Sequence, residues 1–309
     1  MNITDYIGVI GGLSLFLYGM HMMSESLNRI AGDKLKDILT YLTDNKYKAI
    51  ISGMIVTALI QSSSSLSIML IGFINASLLP LENAIWTMMG ADIGTTMTGQ
   101  LIAFDIGAIA PILSIVGVII VVFIPLKRLN HFGEFLVGIG ILFMGLEIMS
   151  NAMKPIASSI YFLSFIKTLS HPMIAVLFGA IFTALIQSSS ASIGILQSLA
   201  LNGFIEFRVA AFVVFGQNIG TCITSFLASL KSCKNAKKLT AFQISFNTLG
   251  TFIFFFVCLY TPLISMVESI SLTPSRAIAN MHTLFNMTSV FIVLPFDKYI
   301  IKMIDKIYK

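Results

Sequence analysis

The chain has 309 residues, 56% of them hydrophobic and 11% charged, with 25 Phe, 17 Met and a mean hydropathy of +0.92. A soluble domain carries about a quarter charged residues, so this composition excludes an ordinary soluble enzyme and indicates a polytopic membrane protein. The net charge of +5 then says little about nucleic acid, because in such a protein the placement of Lys and Arg between apolar segments outweighs their sum.

Met1 to Tyr6 has no basic n-region, so the first apolar stretch, 7–27, is expected to be a retained helix and not a cleaved signal peptide. Residues 28–48 carry Arg29, Lys34, Lys36, Lys46 and Lys48 and are expected to form an interfacial helix or loop. The next 32 or so residues, from Lys48 to Leu79-Pro80, hold Gln61-Ser62-Ser63-Ser64-Ser65 in their middle. A spanning helix needs about 20 residues, so two spans and a turn do not fit, whereas a re-entrant hairpin of two half-length helices does. Polar groups and irregular backbone at that depth are tolerated only inside protein or beside a wet cavity. Further membrane helices are expected near 83–104, 111–126, 131–153, 208–230, 239–260 and 277–296, with a second hairpin at 172–203. Cys222, Cys233 and Cys258 have no metal-like spacing and read as free thiols.

The second hairpin repeats the first. Thr57 to Ser64 recurs letter for letter as Thr183 to Ser190, 126 residues later. The same offset relates Gly12–Gly19 to Gly138–Gly145, and Gly90-Ala-Asp92-Ile-Gly94-Thr95 to Gly216-Gln-Asn218-Ile-Gly220-Thr221. We therefore read one integral domain over 1–309: a repeat of about 5–130, a repeat of about 131–256, and a C-terminal helical segment of about 257–309. Basic residues are dense in 28–48 and sparse in the equivalent 154–174, but dense in 231–238 and missing from the equivalent 105–112. This reversal places 28–48, 127–128, 231–238 and the C-terminus on the cytoplasmic side of the cell membrane. The fold class is thus all-α and polytopic, with two inverted-topology repeats, each containing a re-entrant helical hairpin and a broken helix.

Helix ends within a membrane present unpaired N–H groups and a partial positive charge, which suit an anion. Serine hydroxyls add neutral donors, while Gln61 and Gln187 offer both a carbonyl and an amide. The same oxygens are ligands for an alkali cation. The Gly-x-(Asp/Asn)-Ile-Gly-Thr segments supply two glycines, expected to allow a helix break, and oxygen donors at Asp92, Asn218, Thr95 and Thr221. Against this stands the ordinary fate of Ser and Thr in membrane helices, which is to bond back to a carbonyl or pack on a neighbour. His21, Glu25 and Glu147 are expected to tie helices together, and Arg208 and Arg276 to snorkel.

Together, the duplicated Gln-Ser-Ser-Ser, the following Gly-x-(Asp/Asn)-Ile-Gly-Thr, the opening Gly12-to-Met20 pattern and His282-Thr-Leu-Phe-Asn286 resemble the type II sodium/phosphate cotransporter family, including its bacterial members. Gln243-Ile-Ser-Phe-Asn247 is an echo of the last motif 39 residues earlier. The resemblance implies sodium-driven phosphate uptake by alternating access. Phosphate would lie between the tips, on Gln61, Ser62, Ser63, Ser64, Gln187, Ser188, Ser189 and Ser190. Sodium, the coupling ion, would be bound by Gln61, Ser65, Asp92, Thr95, Thr96, Gln187, Asn218, Thr221 and Thr224. No other cofactor, transition metal or nucleic acid is implied. The lipid bilayer, a homodimer and a PhoU-like regulator acting in trans complete the expected partners, since many bacterial relatives carry that regulator as a fused domain and this chain stops at Lys309. The family pattern has Asn where this chain has Asp92, a carboxylate positioned either to strengthen cation binding or to take a proton, or else merely bonded locally.

Three other classes remain open. An intramembrane hydrolase using a Ser–His282 pair is opposed by the symmetric duplication of the serines and by the lack of a Gly-x-Ser-x-Gly element. A nontransporting membrane sensor or scaffold is a second. A sodium-coupled dicarboxylate or sulfate carrier is the third, and it would share helix-end anion binding.

Overall fold

The computed structural model describes residues 3–32, 45–104 and 107–308, without the side chains of Lys127 and Arg128. Among the described residues all regular structure is helical. In chain order the helices are α1 (Ile3–Ala31), α2 (Lys46–Ile60), α3 (Ser63–Asn75), α4 (Leu81–Ile102), α5 (Ala110–Phe123), α6 (Lys127–Ala157) and α7 (Ile160–Leu169). The chain continues through α8 (Pro172–Ile186), α9 (Ser189–Leu201), α10 (Phe207–Ser229), α11 (Lys234–Tyr260), α12 (Leu263–Ser269) and α13 (Pro274–Val293). A 3₁₀ turn at Leu294–Phe296 then leads into α14 (Asp297–Ile307). Most of the segment expected to be interfacial, 33–44, and Asp105 lie outside the described residues.

Among the described residues five helices are long and apolar enough to cross a membrane: α1, α6 from Leu129, α10, α11 and the α13–α14 stretch. A sixth span arises if α7 and α8, bent by 108° at their junction, count as one. The chain is a multi-pass membrane protein. Two of the expected spans fall short for different reasons. The α4 helix has 22 residues but carries too many polar groups to qualify by composition. The α5 helix has only 14 residues, about 21 Å at 1.5 Å per residue, against a hydrocarbon core of about 30 Å.

The duplication is visible in the helix bounds. Both ends of α2 and α3 lie 126 residues before those of α8 and α9. At 15 and 13 residues, these arms reach about 20 Å each, too short to span singly. Each hairpin packs its first arm along the motif helix of its own repeat, α2 on α4 and α8 on α10. Its second arm lies between the two motif helices, α3 and α9 each touching both α4 and α10.

Where water does not drive helices together, close backbone approach does, and glycines set these contacts. A Cβ on Gly53 or Gly90 would land on the Thr87 or Ile50 carbonyl, and one on Gly179 or Gly216 would land on the Val213 or Val176 carbonyl. This corrects the expectation of a broken helix at Gly-x-(Asp/Asn)-Ile-Gly-Thr. Both α4 and α10 run unbroken through their motifs, and Gly90, Gly94, Gly216 and Gly220 serve helix contact, not unusual backbone angles. Repeat-related α1 and α6 cross in the same way. Gly12 meets Gly145, and Gly19 meets Gly138, so the two helices run antiparallel and their pairs exchange under the 126-residue offset.

The α11 and α13 helices stitch the halves together. Phe242 and Phe246 of α11 and Val290 of α13 pack in the cluster of α2, α3 and α4. Phe254 of α11 and Phe285 of α13 pack in the cluster of α8, α9 and α10. There the Phe285 ring stacks on Phe215 with centroids 5.2 Å apart and meets Phe254 edge-on at 5.1 Å.

Candidate functional site: two serine-rich hairpin tips

Each hairpin breaks at its glutamine. Gln61 and Gln187 have φ of 54° and 59°, the left-handed region, and each backbone N–H donates to the threonine four residues back, Thr57 or Thr183, at 2.7 Å. A non-glycine residue there costs on the order of 1–2 kcal/mol, and the chain meets that cost twice at matched positions. The next serine opens the second arm. Ser62 Oγ accepts the Ser65 N–H at 3.1 Å, and Ser188 Oγ accepts the Ala191 N–H at 3.2 Å. The tips therefore present the N-termini of α3 and α9, each carrying partial positive charge and hydroxyls.

Around this shared frame the first tip is latched. Gln61 is buried; its Oε1 accepts the Thr98 hydroxyl at 2.6 Å and its Nε2 donates to the Ala58 carbonyl at 2.5 Å. The Ser24 hydroxyl of α1 donates to the Ile60 carbonyl at 2.6 Å, capping α2. Ser62 and Ser65 share a hydroxyl contact at 2.9 Å. The buried Ser63 offers its carbonyl to Ser67 at 2.8 Å. Ser64 accepts the Thr224 hydroxyl of α10 at 3.1 Å, a bond between the repeats.

The second tip has the same residues in other employment. Gln187 is exposed, Ser189 half-buried and Ser190 buried. Ser150, the equivalent of Ser24, bonds Asn202 at 2.8 Å. Thr224, the equivalent of Thr98, faces Ser64. Beneath the tip, Thr183 and Ser192 share a hydroxyl contact at 2.8 Å, and Gln217 Nε2 donates to Ser192 at 3.2 Å.

The residues proposed for sodium are scattered over α4 and α10. Thr95 and Thr221 donate back to the Ala91 and Gln217 carbonyls at 3.0 and 2.9 Å, and Thr96 donates to Ile93 at 2.8 Å. A hydroxyl that has spent its proton keeps its lone pairs as acceptors, which fits a cation better than an anion. The Asn218 amide donates to Val214 at 2.9 Å. Asp92 Oδ2 accepts the Asn247 amide of α11 at 3.3 Å. At the first tip the structure thus pairs Gln61 with Thr98, Ser62 with Ser65 and Ser64 with Thr224, while Asp92, Thr95, Thr96, Asn218 and Thr221 lie along α4 and α10. Among the described residues no three His, Cys, Asp or Glu side chains converge as a metal site.

Thr98, Ser24, Thr183, Ser192, Gln217 and Asn247 all contact this constellation and were not anticipated. A signal did exist for Thr98, which completes a ladder: Gly53, Thr57 and Gln61 face Gly90, Gly94 and Thr98 at a constant separation of 37 residues. Two charged side chains outside the tips have definite partners. The Arg276 guanidinium donates to Gln100 Oε1 at 2.7 Å and lies 4.3 Å over the Phe104 ring. Glu25 does tie helices, through Arg29 to Glu134 of α6 at 2.7 and 3.1 Å. A cavity of about 500 Å³ opens near the C-terminal end of α9, lined by Glu147, Ser150, Gln197, Ser198, Asn202 and Ser275 among others. Ile102, Phe104 and Phe143 separate it from an apolar cavity of about 240 Å³ that reaches Thr98.

A duplicated, serine-tipped hairpin on two glycine-packed motif helices has a counterpart among known proteins. The family described as Na+/Pi-cotransporter matches this chain in two successive stretches, residues 15–151 and 150–272. The chain belongs to that family. A Bacillus subtilis relative, "Uncharacterized protein YqeW", is 32% identical over 94% of both chains. The Salmonella typhimurium "Putative inorganic phosphate export protein YjbB" is 26% identical over 97% of this chain, and this chain spans only 55% of it. The rat "Sodium-dependent phosphate transport protein 2A" is 30% identical over 31% of this chain and 15% of its own length. No solved structure matches.

Proposed function

We propose that this protein is a sodium-coupled symporter that imports inorganic phosphate by alternating access, with no enzymatic step. The observation that carries the reading is the pair of left-handed glutamines, Gln61 and Gln187, each followed by a helix N-terminus of serines. Phosphate is the substrate, held between Gln61–Ser64 and Gln187–Ser190. It both donates and accepts hydrogen bonds, which suits mixed Ser and Gln ligands. Sodium sits on the acceptor oxygens of the flanking helices, with Asp92 supplying the one full negative charge in the set.

Alternating access follows from the unequal tips. In this conformation Ser24 and Thr98 hold the first tip. Their equivalents Ser150 and Thr224 are engaged elsewhere. Exchanging the roles of the two repeats latches Gln187 and frees Gln61, so one sequence supports two conformations of similar energy. The antiparallel, exchangeable packing of α1 on α6 supports a two-fold axis in the membrane plane. The C-terminus lies on the cytoplasmic side, as the lysine distribution requires.

Binding tests the site before flux does. Purified protein is expected to retain radiolabelled phosphate in sodium but not in choline, and to lose it in both Gln61→Ala and Gln187→Ala. Phosphate retained equally in choline removes the sodium coupling, and sulfate or succinate displacing it at equal concentration would make the substrate another oxyanion or a dicarboxylate.

The name carried by the Salmonella relative favours a second reading, phosphate export. Preloaded proteoliposomes separate the two. Efflux that needs no sodium supports export, and efflux that follows an outward sodium gradient supports the symporter.

A further inference from the structure

The C-terminal helix α14 (DKYIIKMIDKI) divides its surface three ways. Asp297 and Ile304 are buried, and Ile300, Ile301 and Tyr308 pack against the α2–α3–α4 cluster, so this face docks on the protein. At about 100° per residue, Tyr299, Met303 and Ile307 form a second stripe about 100° round the helix, continuing from Phe296. All four are exposed, at 56–76%. Lys298, Lys302 and Lys306 form a third stripe, also exposed. The helix is thus protein-facing on one side, apolar on the next and basic on the last.

That three-way split fixes what surrounds α14. A helix in water gains nothing from an exposed apolar stripe, and a helix spanning the bilayer would not tolerate a lysine every turn. The α13 and α14 helices continue as one stretch of 34 residues, about 51 Å against a hydrocarbon core of about 30 Å. The α14 end therefore emerges through the headgroups, where an apolar stripe meets lipid and lysines meet phosphates. Two contacts hold it in place: the Trp86 indole N–H donates to Asp297 Oδ2 at 2.8 Å, and Lys238 pairs with Asp305 at 2.7 Å. The second contact brings the basic start of α11, with Lys231 and Lys234 exposed, to the same end of the molecule.

We propose that α14 and the start of α11 form a binding surface for anionic phospholipid headgroups, with Lys298, Lys302 and Lys306 as its ligands and Phe296, Tyr299, Met303 and Ile307 inserted among the acyl chains. The ligand is specified by charge complementarity: lysines on two elements, beside an apolar stripe that only a bilayer covers. Because Trp86 lies on α4, six residues before Asp92, this surface is fastened to a helix that carries the proposed site. The proposal requires a membrane protein and is independent of sodium coupling or phosphate.

The chain has one tryptophan, so Trp86 is a built-in reporter at the root of α14. Full-length protein is reconstituted with a trace of phosphatidylglycerol or phosphatidylcholine carrying a dansyl group near the headgroup. Energy transfer from Trp86 is then measured at equal label density. A basic residue at an anionic surface contributes about 1 kcal/mol, so the expected enrichment of phosphatidylglycerol is at least about fivefold. It should shrink as salt is raised and disappear in the K298Q/K302Q/K306Q variant. Those three side chains are exposed and leave the docked face intact, and an unchanged size-exclusion profile checks this. Equal transfer from both lipids overturns the proposal. So does a preference that survives in the triple variant.

Discussion

The two hairpin tips share sequence and backbone and differ in their partners. Both glutamines are left-handed, both first serines cap a helix, and the last turn of both first arms holds a threonine whose carbonyl takes the turn N–H. Yet Gln61 is buried and bonded to Thr98, while Gln187 is exposed. The difference comes from outside the repeated octapeptide. Below the first tip the packing partners are Leu66 and Ala91, where the second has Ser192 and Gln217. Ser24 and Thr98 have like counterparts in Ser150 and Thr224, which lets the tips exchange roles, whereas the Leu66/Ser192 and Ala91/Gln217 differences bias which tip is latched.

The frame common to both tips is the most fragile part. Gly90→Val and Gly216→Val each place a side chain on a backbone carbonyl and are expected to cost about 3 kcal/mol, the upper end for overpacking, seen as loss of monodisperse protein and a large fall in Tm. Gly72→Ala, with open space at its Cβ, should be silent. If Gly216→Val proves harmless, the frames are not equivalent.

The next test separates the tips. Gln61→Ala leaves the buried Thr98 hydroxyl unpaired and should destabilise by about 1–3 kcal/mol. Gln187→Ala should stay within about 0.5 kcal/mol. Both should abolish phosphate uptake. Equal thermal shifts would mean that the latch is not confined to the first tip. A smaller effect is expected from removing the latch alone. Thr98→Val should lower stability by about 0.6 kcal/mol, the ordinary worth of an interhelical hydrogen bond in a membrane, and should speed hydrogen exchange at the Gln61 backbone N–H relative to the native chain.

The mildest change concerns the break in symmetry between Asp92 and Asn218. Asp92→Asn preserves shape and the Asn247 contact but removes the charge. It should leave folding intact and alter the sodium or the pH dependence of uptake. Unaltered sodium and pH profiles would reduce Asp92 to a locally bonded side chain.

Much of this was readable from the sequence because a repeat carries its own control. The 126-residue offset located both hairpins, and the break falls at Gln61-Ser62 and Gln187-Ser188, inside the expected tips. What was misread depended on neighbours distant in sequence. Glycines at 90 and 94 look like helix breakers until α2 is seen lying against them. The α5 helix is apolar throughout yet stops at Phe123, before an Ile-Pro-Leu segment, too short to span. Thr98 and Ser24 are ordinary hydroxyls in apolar helices, and only the packing of α1 and α4 on the first tip gives them a role. Asn247 sat in a motif already noticed, but its contact with Asp92 crosses 155 residues.

The most direct measurement is radiolabelled phosphate uptake into proteoliposomes, with and without an inward sodium gradient, with sulfate and succinate as competitors. Phosphate uptake that requires the gradient, resists both competitors and is lost in Gln61→Ala and in Gln187→Ala is the predicted result. Active, oriented protein that moves no phosphate when the sodium gradient is imposed would contradict it.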